Sequence, residues 1–408
     1  MRCHMSDTRE EQLAIDGGSP VRDTFLVFGR PSIQEPEIQE VVATLRSGWL
    51  GTGPKTHAFE ESFRLYVGCR HAVAVNSCTA ALHLALDALG IGAGDEVITT
   101  PMTFVATANV ILHVGATPVF VDIDPRTMNI DPDAIEAATT PRTKAIIPVH
   151  MAGRPCQMDR IIEIARGHDL YVIEDAAHAV GASIRGRRVG SIGDITCFSF
   201  YATKNLVTGE GGMVTTDNAM WAERIRIRSL HGLTADAWKR YSAAGYQPYE
   251  ALYPGYKYNM TDLQASLGIH QLARLEANMR ARQRIFDMYD EAFSKLALLS
   301  TPVRDDGIVH ACHLYTILLR LEAMRMHRDE FLAALKAENI GTGVHFHAIH
   351  LHKYYRERFG YSRGDFPHAE EISDRTLSLP LSPDMTENDV TDVVHAVRKV
   401  LAHATCHH

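Results

Sequence analysis

The stretch from Ala72 to Thr100 has the sequence AVAVNSCTAALHLALDALGIGAGDEVITT. Its first residues, Ala72–Asn76, form a short apolar run of the kind found in strands, and Thr79–Leu89 is rich in strong helix formers. The glycine-containing turn Gly90–Asp95 then leads to a second apolar run, Glu96–Thr100. We therefore predict a β-strand, an α-helix and a second β-strand in direct succession.

Short apolar runs and helix-forming stretches continue to alternate as far as Thr216. Further strands are predicted at Pro118–Asp122, Lys144–His150, Leu170–Glu174 and Thr196–Phe198, and further helices at Phe104–His113, Pro132–Ala138 and Met158–Gly167. The centre of the run KAIIPVH at 144–150 is continuously apolar, which is typical of a strand covered on both faces. The pattern predicts an α/β fold with a mostly parallel central sheet and helices on both faces.

The chain is long enough for two domains, and its character changes near residue 262. We predict a large α/β domain with an N-terminal arm over residues 1–262, and a small C-terminal α+β domain with a connecting helix over residues 263–408. The connecting helix is expected from Asp262 to about Ala297. Beyond it we expect a strand at Leu314–Leu321, helices at Arg328–Glu338 and Glu387–His403, and a loop-rich segment at Gly341–Asp365.

Composition and charge argue against several classes of protein. The 408 residues are 46% apolar and 22% charged, which supports a packed core and excludes intrinsic disorder. The formal net charge of −8 argues against a nucleic-acid partner. No apolar run approaches the ~20 residues that a membrane span needs, so no membrane partner is expected. Seven scattered cysteines without a CxxC pair are typical of reduced thiols, and we expect a cytoplasmic protein.

Four residues near the ends of two predicted strands suit one cofactor. Asp175 follows the strand at Leu170–Glu174, His178 comes three residues later, Ser199 ends the next apolar run, and Lys204 follows in a loop. Pyridoxal phosphate needs an amine for a Schiff base, an acid for its pyridine nitrogen, and hydroxyl and amide donors for its phosphate. Taken singly, Asp175 is more simply a turn cap and Lys204 a solvated charge, but together they favour the cofactor.

The segment NSCTAAL at 76–82 adds a second feature, because it turns from a strand end into a helix start. Free amides at a helix N-terminus bind anions such as phosphate. A plain N-cap by Ser77 or Thr79 explains the same segment without a ligand. Phe104, in TFVAT after the next strand, is placed to stack on a flat ring, with a simple core position as the alternative.

Several long strings of the sequence resemble one enzyme family. NSCTAALHLALDALGIGAGDEVITTPMTFVATAN, VIEDAAHAVGA and CFSFYATKNL, the last followed by GEGG, are similar to the DegT/StrS family of pyridoxal-phosphate-dependent sugar aminotransferases. The resemblance runs from about Phe28 to about Thr386 and implies fold type I with pyridoxal 5'-phosphate as the cofactor.

The resemblance assigns roles to individual residues. It implies that Lys204 is the Schiff-base lysine, that Asp175 pairs with the pyridine nitrogen, and that His178 contacts the ring hydroxyl. The other cofactor-binding residues that it implies are Phe104 on the ring, Cys78, Thr79 and Ser199 at the phosphate, and Asn259 at the phosphate of the neighbouring subunit. A residue that crosses to the neighbour implies a homodimer with shared active sites.

Three further strings, one near the N-terminus and two in the second half of the chain, narrow the substrate class. SGWLGTGPKT, PGYKYNMTDLQA and IGTGVHFHAIHLHKYYRERFG resemble UDP-4-amino-4-deoxy-L-arabinose–oxoglutarate aminotransferases, which implies a nucleotide-linked keto-sugar and glutamate or 2-oxoglutarate as partners. His345, His347 and Lys257 are then candidate substrate contacts. A solvent-exposed or core position and a metal site are the alternatives for the histidines, but no thiol or carboxylate lies within their cluster, and no metal is expected.

Other functions on the same scaffold remain open. A cyclitol or other keto-sugar aminotransferase, a pyridoxal-phosphate-dependent sugar dehydratase and a non-catalytic regulatory protein all occur among proteins that resemble this one. Relatives in which histidine replaces the Schiff-base lysine are dehydratases, and this chain retains Lys204. Transamination to a 4-amino-4-deoxy sugar nucleotide is therefore the favoured function.

Overall fold

The computed structural model describes residues 11–233 and 249–405. The first part of the chain forms strands β1 His71–Val75, β2 Glu96–Thr99, β3 Thr117–Phe120, β4 Thr143–Ile147, β5 Tyr171–Asp175, β6 Ser183–Ile184, β7 Arg187–Arg188, β8 Ile195–Ser199 and β9 Gly212–Thr216. Seven of these strands form one sheet in the order β1-β9-β8-β5-β4-β2-β3. β9 is antiparallel to both of its neighbours, and the other pairs are parallel. The predicted α/β fold with a mostly parallel sheet is confirmed.

Helices cover this sheet on both sides. They are α1 Glu35–Ser47, α2 Pro54–Val67, α3 Cys78–Ala88, α4 Val105–His113, α5 Pro132–Ala138, α6 Met158–His168, α7 Ala219–Ser229 and α8 Asp262–Ala273. Neighbouring residues of β4 show the two layers, because Ile147 belongs to the apolar cluster with α3 and α4, whereas Ile146 belongs to the cluster with α5 and α6. A strand buried on both faces explains the continuous apolar run seen in the sequence.

The second part of the chain contains strands β10 Leu299–Ser300, β11 Ile308–Val309, β12 Tyr315–Leu319 and β13 Thr376–Leu379. Its helices are α9 Leu275–Phe293, α10 Arg328–Ala337, α11 Lys353–Phe359, α12 Pro367–Arg375 and α13 Glu387–Ala404. β10, β12 and β13 form an antiparallel sheet, whereas β11 pairs with β6. Single turns of 3-10 helix occur at Ala14–Asp16, Met151–Gly153, Leu321–Ala323 and Ile349–Leu351.

The chain divides into two compact units. The larger unit contains Ile33–Met279 and Asp305–His313, and the smaller unit contains the described residues of Met1–Ser32, Arg280–Arg304 and Leu314–His408. The predicted boundary between residues 262 and 263 falls inside the larger unit, at the first turn of α8. The long helix predicted from Asp262 is interrupted at Arg274, whose Nε donates to Glu37 over 2.7 Å. This contact with α1 ties α8 to the larger unit.

Two further expectations concern membranes and cysteines. In the described part of the chain, no helix has the length and apolar character required to cross a membrane. Cys69, Cys78, Cys156, Cys197 and Cys312 are all buried, and none of these five forms a disulfide. Cys3 and Cys406 lie outside the described residues.

Candidate active site

Four neighbouring strands, in the order β1-β9-β8-β5, have an end at the same edge of the large sheet. Val75 at the end of β1 lies opposite Gly212 in β9, and Gly212 lies opposite Ser199 at the end of β8. β5 adjoins β8 in parallel and ends at the same edge with Asp175. The turn after β1 reaches Asp175, because Cys78 Sγ lies 4.0 Å from Asp175 Oδ1. Lys204, in the turn after β8, is near enough for its charge to lower the pKa of Asp175.

The carboxylate of Asp175 is only 5% exposed, and a hydroxyl and an amide donate to it. The Thr107 hydroxyl donates to Oδ2 over 2.8 Å, and the Ala177 amide donates to Oδ1 over 3.1 Å. Burial raises the pKa of Asp175 above its ordinary value, and both hydrogen bonds oppose this shift because they favour the ionised form. Thr107 is not among the predicted site residues. Its place in the first turn of α4, after the exposed Phe104, is the signal that identifies it.

Lys204 lies in the turn that follows β8, where its amide donates to the carbonyl of Tyr201 over 2.9 Å. Burial lowers the pKa of the Lys204 amine to about 8, against the opposing influence of Cys78 and Asp175. Near neutral pH a useful fraction of such an amine is uncharged. The uncharged amine is the form that attacks an aldehyde or takes up a proton.

The N-terminus of α3 offers an anion site at the same edge. Ser77 is the N-cap, and its side chain accepts from the Ala80 amide over 3.1 Å. Cys78 and Thr79 come before Ala80 in the first turn of α3. Among the described residues, neither of their amides has an acceptor. A Cβ atom on Gly212 would lie 2.7 Å from the Ser77 carbonyl oxygen and 2.8 Å from the Cys78 nitrogen, so a glycine is required where β9 passes this turn.

The Cys78 side chain lies away from that anion site. Its sulfur is 3.5 Å from the carbonyl oxygen of Cys197 and 4.0 Å from Asp175 Oδ1. The backbone amide of Cys78, rather than its thiol, is thus available to an anion. The Ser199 hydroxyl lies beside the turn across Gly212 and accepts from the Tyr201 amide over 3.4 Å.

Phe104 and His178 are the two predicted cofactor-binding residues that carry rings, and each is close in sequence to a residue already described. Phe104 is the N-cap of α4 and is 59% exposed, so a simple core position is excluded. His178 is 8% exposed and lies in the turn after Asp175. The His178 ring packs against His313, with 4.6 Å between the ring centroids.

Lys257 and Asn259 lie beside the end of β1 of the same chain. Asn259 forms a bridge with Val75, and its Nδ2 donates to the Thr52 hydroxyl over 2.6 Å. Lys257 Nζ donates to Asn259 Oδ1 over 2.7 Å. A role for either residue in the site of a second subunit stays a prediction.

His345 and His347 belong to the smaller unit. His345 Nδ1 is 2.9 Å from the Ser378 hydroxyl, and its ring stacks on Phe28 with 5.5 Å between centroids. Burial and the neighbouring His352 lower the pKa of His347. Contact of these histidines with a substrate stays a prediction. Within residues 11–233 and 249–405, no group of three or more His, Cys, Asp or Glu side chains is arranged to hold a metal ion.

The groups at the sheet edge fit pyridoxal phosphate. Lys204 supplies an amine of lowered pKa for the aldehyde, and Asp175 supplies a buried carboxylate for the ring nitrogen. The amides of Cys78 and Thr79 supply donors for the phosphate, in a cradle that a side chain at position 212 would fill.

Comparison with known proteins gives matches along nearly the whole chain. Residues 31–398 match the model of the DegT/DnrJ/EryC1/StrS aminotransferase family. The spore coat polysaccharide biosynthesis protein SpsC of Bacillus subtilis is 56% identical over 382 residues, which cover 93% of this chain and 98% of SpsC.

Solved structures of sugar aminotransferases have the same fold. The putative sugar aminotransferase Spr1654 from Streptococcus pneumoniae, in its PMP-form, is 36% identical with a TM-score of 0.86, and the match covers 92% of this chain and 98% of that chain. DesI in the presence of its TDP-sugar product is 35% identical with a TM-score of 0.84, and the match covers 95% of each chain.

Proposed function

Because this chain belongs to the DegT/DnrJ/EryC1/StrS aminotransferase family, we propose that it transfers an amino group from glutamate to the 4-keto group of a nucleotide-linked sugar. The match confirms three expectations from the sequence: the family, aminotransferase activity and pyridoxal phosphate as the cofactor. The chain is a pyridoxal-phosphate-dependent sugar aminotransferase.

The observation that carries the proposal is the closeness of two groups: Lys204, in the turn after β8, and Asp175, at the end of the adjoining β5, are near enough for the charge of each to shift the pKa of the other. When bound, the cofactor serves as an electron sink for the carbon that loses a proton. Asp175 orients the ring and stabilises positive charge on the ring nitrogen, helped by the Thr107 hydroxyl. The uncharged Lys204 amine takes the proton from the donor α-carbon and later returns one to the carbon that bore the ketone.

The substrate assignment rests on two likenesses. The sequence resembles enzymes that act on UDP-linked 4-keto-pentoses, which favours UDP, whereas the DesI structure holds a TDP-sugar product. His345, His347 and Lys257 are the residues we assign to substrate contact. Asn259 is assigned to the cofactor phosphate of a second subunit, in a homodimer with shared active sites.

The test is a product analysis by mass spectrometry. The purified enzyme, converted to its amino form with glutamate, is incubated with UDP- and TDP-linked 4-keto-sugars and with a keto-cyclitol. A mass change of ketone to amine in the nucleotide sugar, matched by 2-oxoglutarate released earlier, is the expected result. The Lys204→Ala variant is the control and should give no product.

Other outcomes would contradict the proposal in distinct ways. Loss of a hydroxyl from the sugar without gain of nitrogen would identify a dehydratase. Amination of the cyclitol alone would show that the substrate is a keto-cyclitol and not a nucleotide-linked sugar. Absence of a cofactor absorbance band and of any turnover would favour a regulatory protein.

A further inference from the structure

A short segment of the second part of the chain joins the larger unit. Asp305–His313 belongs to the larger unit, although the residues on both sides belong to the smaller one. Within the segment, β11 pairs with β6, the Ala311 amide donates to the Gly153 carbonyl over 2.8 Å, and Asp305 pairs with Arg154. These attachments fix both ends of the segment on the larger unit.

The segment ends in a histidine that contacts the turn after Asp175. The rings of His313 and His178 have centroids 4.6 Å apart and planes inclined by 41°. His313 is 4% exposed and His178 is 8% exposed, so the two rings pack against each other in the protein interior. Close packing of this kind restricts the movement of both rings.

Asn205 fixes the orientation of His313. The Asn205 Nδ2 donates to the Ala311 carbonyl over 2.6 Å, which leaves its Oδ1 facing His313 Nδ1 at 3.2 Å. Because an amide oxygen only accepts, His313 Nδ1 carries the hydrogen. Asn205 is also the residue next to Lys204, so one amide side chain joins the lysine turn to the histidine pair.

The close approach of the segment requires a glycine. A Cβ atom at Gly153 would lie 2.9 Å from the Ala311 Cβ and 2.9 Å from the His178 carbonyl oxygen, and the φ of Gly153 is +99°. An L-residue is strained in that backbone region and has no room there. The local sequence is thus fitted to bring residue 311 against the His178 turn.

We propose that His313 is a positioning residue that holds the His178 imidazole in place at the cofactor ring. This inference rests on the proposed function and on the role that the family resemblance implies for His178, which is contact with the ring hydroxyl of the cofactor. His313 acts through the ring contact with His178, and Asn205 sets the ring of His313. Segment 305–313, although it is flanked in sequence by residues of the smaller unit, places His313 within the larger unit, against His178.

The experiment is a double-variant cycle on the full-length enzyme loaded with pyridoxal phosphate. The variants are His313→Phe, His178→Gln and the pair together, with the exposed His168→Phe as the matched control. Each is measured for the dissociation constant of the cofactor and for the circular dichroism of the bound cofactor's visible band. Circular dichroism reports how the ring is held, which a loss of general stability alone does not change.

His313→Phe keeps a ring beside His178 but loses the hydrogen bond to Asn205 that orients this ring. We expect it to raise the cofactor dissociation constant by roughly fivefold, the effect of that one hydrogen bond, and to change the dichroic band. In the His178→Gln background the same substitution should have an effect below about twofold, because contacting residues couple. Equal effects in both backgrounds, or none in either, would overturn the inference. If His313→Phe does not fold, His313→Asn takes its place: its amide nitrogen still donates to Asn205, but the ring that packs on His178 is lost. The same weakening of cofactor binding, and the same loss of this effect in the His178→Gln background, are then expected.

Borohydride reduction separates this inference from the proposed function. If the label is fixed on Lys204 in the wild-type chain and in every variant, the proposed function stands, whatever the double-variant cycle shows for His313. A wild-type chain that takes no label on Lys204 refutes the proposed function, and the role of His313 falls with it.

Discussion

Replacing Thr107 by valine should remove one of the hydrogen bonds that the Asp175 carboxylate accepts. Valine has nearly the shape of threonine, so packing at the start of α4 is kept while the donor is lost. The Ala177 amide remains as a donor. The ionised form of Asp175 is then less stable, in a place where burial already raises its pKa.

The size of the effect follows from the charge on the acceptor. A hydrogen bond to a charged group contributes about 1.5–3 kcal/mol. At about 1.4 kcal/mol per pKa unit, the pKa of Asp175 should rise by about 1–2 units. A carboxylate with a raised pKa is protonated at higher pH, so activity that needs its charge is lost earlier as the pH falls.

The assay is a single turnover of the bound cofactor with glutamate, followed by absorbance over a series of pH values. We expect the acid limb of the Thr107→Val rate profile to move up by about 1–2 pH units, with little change at high pH. Thr107→Ser keeps the hydroxyl and is the matched control. A valine profile that coincides with the serine and wild-type profiles would show that Thr107 does not support the charge of Asp175.

Three further predictions concern the lysine, the dimer and the smaller unit. Borohydride reduction should fix the cofactor on Lys204, and peptide mapping that finds it on Lys144 instead would refute the assignment of the site. Mixing the Lys204→Ala and Asn259→Ala variants should restore part of the activity if Asn259 serves the neighbouring subunit, because one site of each mixed dimer is then intact. No recovery after verified subunit exchange would mean that each site is built from one chain. In the smaller unit, Lys399 Nζ lies 2.9 Å from Glu338 Oε2 with both residues almost fully buried, so Lys399→Met should lower the free energy of unfolding in urea by about 3–5 kcal/mol. Recovery of part of that loss by adding Glu338→Gln is expected, and a loss below about 1 kcal/mol would contradict the reasoning.

The parallel sheet was predictable because its strands are buried on both faces. The run around Ile146 and Ile147 is apolar on both sides of the strand, and this pattern is visible in the letters alone. Polar residues at the strand ends then indicated one sheet edge, where the structure brings Asp175, Ser199 and Lys204 together. The α/β fold and the outline of the site follow from these two patterns.

Features that depend on distant contacts were not predictable. The break at Arg274 has no glycine or proline to mark it and is accompanied by the contact of its guanidinium with Glu37. The predicted loop-rich segment 341–365 contains the helix α11, Lys353–Phe359, whose aromatic residues pack with one another. The hydrogen bond from Thr107 to Asp175 joins residues 68 positions apart, so the place of Thr107 in the first turn of α4 marks a candidate but does not give its partner.

The position of segment 305–313 in the sequence affects how the protein folds during its synthesis. As the ribosome releases the chain, everything up to Met279 emerges first, and β11, which pairs with β6 on the side away from β7, is still to be synthesised. The larger unit is completed only after the connecting residues 280–304 have followed, so its final strand pairing comes late in synthesis. For the same reason no single cleavage of the chain yields a fragment that contains the whole larger unit without any residue of the smaller one.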